Sequence, residues 1–177
     1  MKKFFSNTFL LLGIVFLLCG FYLVYLRHSP KTLNFSQKPS TVNTLSYQTP
    51  YQIQIPSIGV NLPIIPAVIN NHNWETTSAG VSYLQSSPLP GEKGNSVMYG
   101  HNWTSLLGNL PKARPGDIVT ITMHDGKKKN FRIEYTAVVT PDQDYIIDNT
   151  NDIRLTLYTC TGFLDSKRFV VVAKPIS

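Results

Sequence analysis

The sequence predicts a mainly β domain behind one apolar helix, and three observations carry that reading. From about residue 47 onward, seven short runs rich in β-branched and aromatic residues alternate with Pro, Gly and Asn. Asp125-Gly126 stands between two of those runs, and both residue types tolerate the positive φ of a tight hairpin turn. Upstream, eighteen consecutive residues, 9–26, carry no charge. The chain has 177 residues, 42% hydrophobic and 15% charged, with two cysteines. That composition excludes a long disordered polymer and a disulfide-stapled miniprotein, and it bounds the chain to one modest domain.

The elements follow in order. Residues 1–8 are read as a cytoplasmic amino terminus, with Lys2, Lys3 and the free amine ahead of the apolar run. Residues 9–26, FLLLGIVFLLCGFYLVYL, have about the minimum length for a membrane-spanning helix. No Ala-x-Ala pair follows and the run exceeds a usual signal core, so it reads as an uncleaved anchor. Arg27 and Lys31 on the far side leave the positive-inside rule in favour of an inward amino terminus, with the rest of the chain outside. Cys19 lies within the run, and Leu18 before it is too large for a lipoprotein signal, so Cys19 reads as bilayer filler. Residues 27–46 are rich in Ser, Thr, Pro and Asn without periodicity and read as an extracytoplasmic stalk. The folded domain is 47–177.

Within it the expected strands are 51–55, 61–65, 96–99, 117–124, 129–140, 153–159 and 168–174, enough for a β-barrel or sandwich. A short helix is expected at 104–110, capped by Asn102 or Thr104, and a turn or two of helix at 79–87. The formal charge is +6, but five of the sixteen basic residues fall within 1–38, where there is no acid. The domain is therefore close to neutral, and its one basic run, 127–129, adjoins a turn. A nucleic-acid partner is excluded on that ground.

Cys160 is the only cysteine outside the apolar run. With Cys19 in a membrane a disulfide between them is geometrically excluded, which leaves an exported domain with one thiol. In RLTLYTC, strand alternation puts Leu155, Leu157 and Thr159 on one face and Thr156, Tyr158 and Cys160 on the other. Cys160 is out of phase with the leucines, as a thiol aimed away from the core would be, although parity can fail at a strand end. A nucleophilic thiol needs a proton carrier and oxyanion donors. His28, His72 and His124 read as solvated loop residues, whereas His101 follows the strand SVMY and one glycine, a position from which a side chain can enter a cleft; a structural histidine is the alternative on spacing alone. Arg168 begins the run after Cys160, and antiparallel pairing of the two runs would bring both to one rim; a pairing of Arg168 with Asp165 is the alternative.

Gly100-His101, TLYTC at 156–160 and Arg168 after a short connection, together with IQIPSIGVNLPI at 53–64 and NLPKARPGDIVTI at 109–121, resemble the sortases, cysteine transpeptidases of bacterial cell surfaces. The resemblance implies an eight-stranded β-barrel with an outer groove for a sorting peptide, commonly LPxTG. It implies Cys160 as nucleophile, His101 as proton carrier and Arg168 as oxyanion donor, with surface proteins bearing a carboxy-terminal sorting signal and a cell-wall amine as partners. The connection 161–167 is short and 27–46 lacks the Asp-Pro-aromatic element of a pilin-polymerase lid, so the chain looks more like the smaller class D or E enzymes. No cofactor is expected, although Asp142, Asp144, Asp148 and Asp152 crowd a connection where some sortases bind calcium. A thiol hydrolase using water and a noncatalytic adhesion module are the competing functions.

Overall fold

The computed structural model describes residues 2–27, 33, 35, 49–70 and 73–176. Helix α1 (Lys2–Arg27) precedes ten strands: β1 (Pro50–Ile55), β2 (Val60–Ala67), β3 (Ile69–Asn70), β4 (Asn73–Trp74), β5 (Val81–Leu84), β6 (Gly94–Gly100), β7 (Ile118–Met123), β8 (Lys128–Val139), β9 (Ile153–Thr161) and β10 (Lys167–Pro175). Eight of them close into a barrel in the order β1-β2-β5-β6-β9-β10-β8-β7, with β3 and β4 forming a separate small hairpin. Closure leaves no open edge to pair with another chain. Two neighbours are parallel, β2 with β5 and β6 with β9, and the rest are antiparallel. All seven expected strands are present within a residue or two of their expected ends.

The expected hairpin at Asp125-Gly126 joins β7 to β8. Gly126 adopts φ +81°, the Asp125 carboxylate accepts the Lys127 N–H at 3.0 Å, and Met123 N–H donates to the Lys127 carbonyl at 2.8 Å. Lys127 also pairs with the Asp125 carboxylate at 2.9 Å and holds that exposed carboxyl below its ordinary range.

Two expectations are corrected. Residues 79–87 contain strand β5 where helix was expected: all four residues are buried, because the strand has barrel on one face and an outer cluster on the other. A short strand buried on both sides shows no alternation, and periodicity does not separate it from a helix. Residues 104–110 form consecutive turns and lead into a short 3-10 helix at Leu110–Lys112. Leu107 and Leu110 are fully buried, as a helical face would have them, but they reach the barrel mouth through a chain reversal in which Leu107 N–H bonds the His101 carbonyl at 3.1 Å.

Two apolar layers result. The barrel interior holds Ile53, Ile55, Val119, Ile121, Phe131, Ile133, Leu155, Leu157, Val171 and Ala173, with Leu107 and Leu110 closing one mouth. The outer face of β6, β9 and β10 carries Val97, Tyr99, Tyr158, Cys160, Val170 and Val172. The connection 140–152 crosses that outer face and adds Ile146 and Ile147 to it. Asn95 pins the connection there: its Nδ2 donates to the Ile146 and Asp148 carbonyls at 3.2 and 3.1 Å, and its Oδ1 accepts the Thr156 hydroxyl at 2.7 Å.

Most of residues 27–46, and both His28 and His72, lie outside the described residues. Among the described residues no helix is long and apolar enough to cross a membrane.

Three buried tyrosines give the barrel an alkaline limit. Burial pushes the Tyr83 hydroxyl up to about 12 and raises Tyr99 and Tyr158 as well. An unfolded chain releases these protons near the ordinary value of 10.0 while the folded chain retains them, so stability falls as pH rises above that value. Denaturant titrations between pH 8 and 11 should show a level stability that drops above pH 10 by about 1.4 kcal/mol per pH unit for each tyrosine held protonated. Tyr158→Phe should shallow that slope.

Candidate active site

Strand β9 lies between β6 and β10, and this arrangement assembles the site. In the antiparallel β9–β10 pair, Arg168 is the direct partner of Cys160. In the parallel β6–β9 pair, Gly100 is the partner of Thr159, so His101 leaves β6 at the level of Cys160. Thr159 reinforces this level by donating its hydroxyl to the Gly100 carbonyl at 2.8 Å. Neighbouring strands are about 4.8 Å apart, and His101, Cys160 and Arg168 therefore form one row across three strands at one barrel rim. Parity places the row on the outer face, since Leu155 and Leu157 point into the barrel while Tyr158 and Cys160 join the outer cluster. His101, Cys160 and Arg168 are 8%, 3% and 3% exposed, so the groups are largely withdrawn from water.

Arg168 is held by its own loop. One terminal nitrogen donates to the Asp165 carbonyl at 2.9 Å and to the Lys167 carbonyl at 3.0 Å. The Asp165 carboxylate faces the other way and accepts Asn102 Nδ2 at 2.8 Å, tying the segment after His101 to the segment after Cys160. Leu164 and Asp165 both adopt positive φ, +50° and +59°. For residues other than Gly this is a backbone cost of roughly 1–3 kcal/mol each, tolerated where the surroundings demand a particular loop shape. Phe163 at the apex is 84% exposed. Beside it lies a cavity of about 540 Å³, lined by Cys160, Thr161, Gly162, Phe163, Leu164 and Asn102 and, from α1, by Leu23 and Val24.

The other histidine within the described residues is placed apart. His124 is exposed against Tyr51, ring centroids 5.2 Å apart, at the far end of β8 from the row. The four aspartates of 140–152 form no metal-binding group: among the described residues no three His, Cys, Asp or Glu side chains are gathered as ligands. Asp152 is engaged instead by Arg154 at 3.1 Å and Lys174 at 3.6 Å, and hydrogen bonds from Thr150 and Arg154 hold its carboxyl at about 2.

Sequence reasoning missed three residues here. Leu33 and Phe35, from the segment read as a stalk, are 0% and 3% exposed on the outer face. Tyr158 donates its hydroxyl to the Leu33 carbonyl at 3.2 Å, and Trp74 Nε1 donates to the Phe35 carbonyl at 3.3 Å. The Phe35 ring meets Tyr158 edge-on, centroids 4.9 Å apart, and the Arg168 guanidinium carbon lies 5.9 Å from the ring centroid. Trp103 is the third, stacked on His101. Nothing at positions 33 and 35 marks a contact with residues more than 120 positions away, whereas Trp103 is visible in the sequence two residues after His101. Because Phe35 covers the guanidinium, Phe35→Ala should uncover the row. The rate of Cys160 alkylation by iodoacetamide is expected to rise about tenfold or more, with the barrel still folded by circular dichroism.

Comparison with known proteins gives the family of the chain. Residues 53–176 match the family model of the sortase domain. The chain is 31% identical over 126 residues to sortase A of Listeria monocytogenes serovar 1/2a, a match that takes in 69% of this chain and 54% of that protein. The chain thus spans about half the length of the curated relatives it matches. Among solved structures, a lid mutant of sortase A from Corynebacterium diphtheriae superposes with a TM-score of 0.63 at 28% identity, covering 73% of this chain and 70% of that one. Sortase A of Listeria monocytogenes superposes with a TM-score of 0.60 at 27% identity, covering 75% and 89%. With the barrel, its strand order and the family match in agreement, the chain belongs to the sortase family.

Proposed function

We propose that this chain is a membrane-anchored cysteine transpeptidase. It cleaves an LPxTG-like sorting signal in surface proteins and transfers the acyl part to a cell-wall amine. The observation that supports this most is the His101–Cys160–Arg168 row, set on one rim by the registers of β6, β9 and β10.

The Cys160 thiolate attacks the carbonyl carbon before the scissile bond, and the carbonyl electron pair moves to oxygen. Arg168, a permanent cation with planar donors, stabilises that oxyanion. The oxyanion collapses, the C–N bond breaks, and protonated His101 delivers its proton to the departing amine. A thioester on Cys160 remains. An incoming amine then attacks the thioester, yields its proton to His101 and expels the thiolate, so sulfur and imidazole return to their starting states. No cofactor enters these steps.

Residues 9–26 as a helix would extend about 27 Å, close to the roughly 30 Å of a hydrocarbon core. The large apolar side chains described in α1 are exposed, Phe16 and Phe21 at 71% and 73%, as on a helix that faces lipid. With the amino terminus inside, the domain lies on the extracytoplasmic side, where sorting signals and wall amines are found.

A hydrolase would share the thioester and differ only in the acceptor, so product analysis with and without triglycine separates the two. Transpeptidation predicts that added amine diverts most of the cleaved peptide into the amide product; hydrolytic product alone would refute it. His101→Ala should lower turnover by at least a hundredfold with Cys160 still alkylated, and Arg168→Lys should cost a comparable factor because one ammonium lacks the planar donor pair. Near-normal turnover in Arg168→Lys would leave Arg168 a structural role only.

A further inference from the structure

Trp103 takes no part in the steps above, yet its indole lies flat on the His101 imidazole, with ring centroids 4.4 Å apart and planes 8° from parallel. The fold places the indole there. The Trp103 carbonyl accepts the N–H groups of Leu106 and Gly108, each at 2.8 Å, and the His101 carbonyl accepts that of Leu107. Leu107 and Leu110, fully buried in the barrel mouth, hold the far end of this reversal. Gly108 closes it: a Cβ there would lie 2.6 Å from the Asn102 carbonyl oxygen and 2.7 Å from that of Trp103, both fixed backbone. On the opposite side Asn102 is tied to Asp165 at 2.8 Å. Residues 102 and 103 are thus anchored independently of the histidine.

A stacked indole does two things to an imidazole. It restricts rotation of the ring, and its electron-rich face attracts the charged form more than the neutral one. At the level of His101 the adjoining elements carry Cys160 on β9, Lys167 and Arg168 on β10 and Asp165 between them; Tyr99 and Tyr158 lie further along β6 and β9, Arg154 and Lys174 are at the opposite ends of their strands, and Lys112 and Arg114 of its own segment are exposed. A Cys160 thiolate and the Asp165 carboxylate favour imidazolium, and the Arg168 guanidinium opposes a second cation in the row. Trp103 is an uncharged group acting on the favourable side.

The geometry points to Trp103 as the positioning residue for His101: the indole holds the imidazole in the plane that serves both proton transfers and keeps it in the protonated form a leaving amine needs. This rests on the transpeptidase reading of His101. The indole needs no contact with the peptide, and an aromatic ring of similar size should substitute for it where an aliphatic side chain should not.

The test uses the full chain in detergent micelles, with Trp103→Phe and Trp103→Leu, and Trp103→Met should the Leu variant fail to fold. Histidine-labelled protein gives the His101 titration by NMR, and a peptide containing Leu-Pro-Ala-Thr-Gly serves as the acylation probe. Trp103→Leu is expected to lower the His101 midpoint by about half a pH unit or more. Its kcat should fall about tenfold with KM changed less than twofold, as loss of alignment at the reacting atoms would have it. Trp103→Phe should recover most of both. An unchanged His101 midpoint in the aliphatic variants, or a Phe variant no better than Leu, would overturn the proposal and leave Trp103 as packing. Absence of acylation in the unaltered chain would count against the transpeptidase reading, whereas the histidine titration needs no peptide and decides the stack by itself.

Discussion

The register of β9 is the constraint on which the site depends. One hydrogen-bonded strand, flanked by parallel β6 and antiparallel β10, fixes the level of His101 on one side and of Arg168 on the other. Its side-chain alternation sends Leu155 and Leu157 inward to the barrel core and Tyr158 and Cys160 outward. A slip of one residue would exchange the faces, turning the thiol into the barrel and the leucines onto the outer layer, so core packing and thiol placement are enforced together. The His101–Cys160–Arg168 row is therefore set by hydrogen-bonded strand registers, and the segments around it add further contacts.

Those segments converge on the row from three directions. The reversal after His101 is locked by Leu107, Leu110 and Gly108, the connection after Cys160 is bent through three positive-φ residues, Gly162, Leu164 and Asp165, and Asn102 with Asp165 joins the two. Leu33 and Phe35 come from the amino-terminal side and complete the outer apolar layer, with Phe35 against both Tyr158 and Arg168. Cys160 lies in this same layer, so packing of the outer face and access to the thiol are physically linked. The α1 residues Leu23 and Val24 line the adjoining cavity beside the same rim.

How much of this was legible in the sequence follows from the range of each interaction. Alternation in RLTLYTC identified the inward and outward faces of β9, and Asp125-Gly126 located the β7–β8 hairpin, because both are decided by neighbouring residues. The row could be anticipated only on the condition that the runs around Cys160 and Arg168 pair antiparallel, as they do; its assignment to catalysis came from resemblance. Strand β5 was misread because a strand buried on both faces carries no alternation, and 104–110 because buried leucines at helical spacing serve a chain reversal equally well. Leu33 and Phe35 were illegible: their partners are Trp74, Tyr158 and Arg168, and no local pattern encodes contacts at that separation. Trp103 was in view, but a parallel stack on His101 depends on the Gly108 reversal, which propensity does not report.

The most direct test of the account is the mass of the protein itself during turnover. Full-length chain quenched with acid soon after mixing with a Leu-Pro-Ala-Thr-Gly peptide should carry an adduct equal to the fragment ending at threonine less one water. Peptide mapping should place it on Cys160, and hydroxylamine should remove it as it removes a thioester. Cleavage of the peptide with no such adduct, or cleavage that persists in Cys160→Ala, would contradict a mechanism built on that thiol.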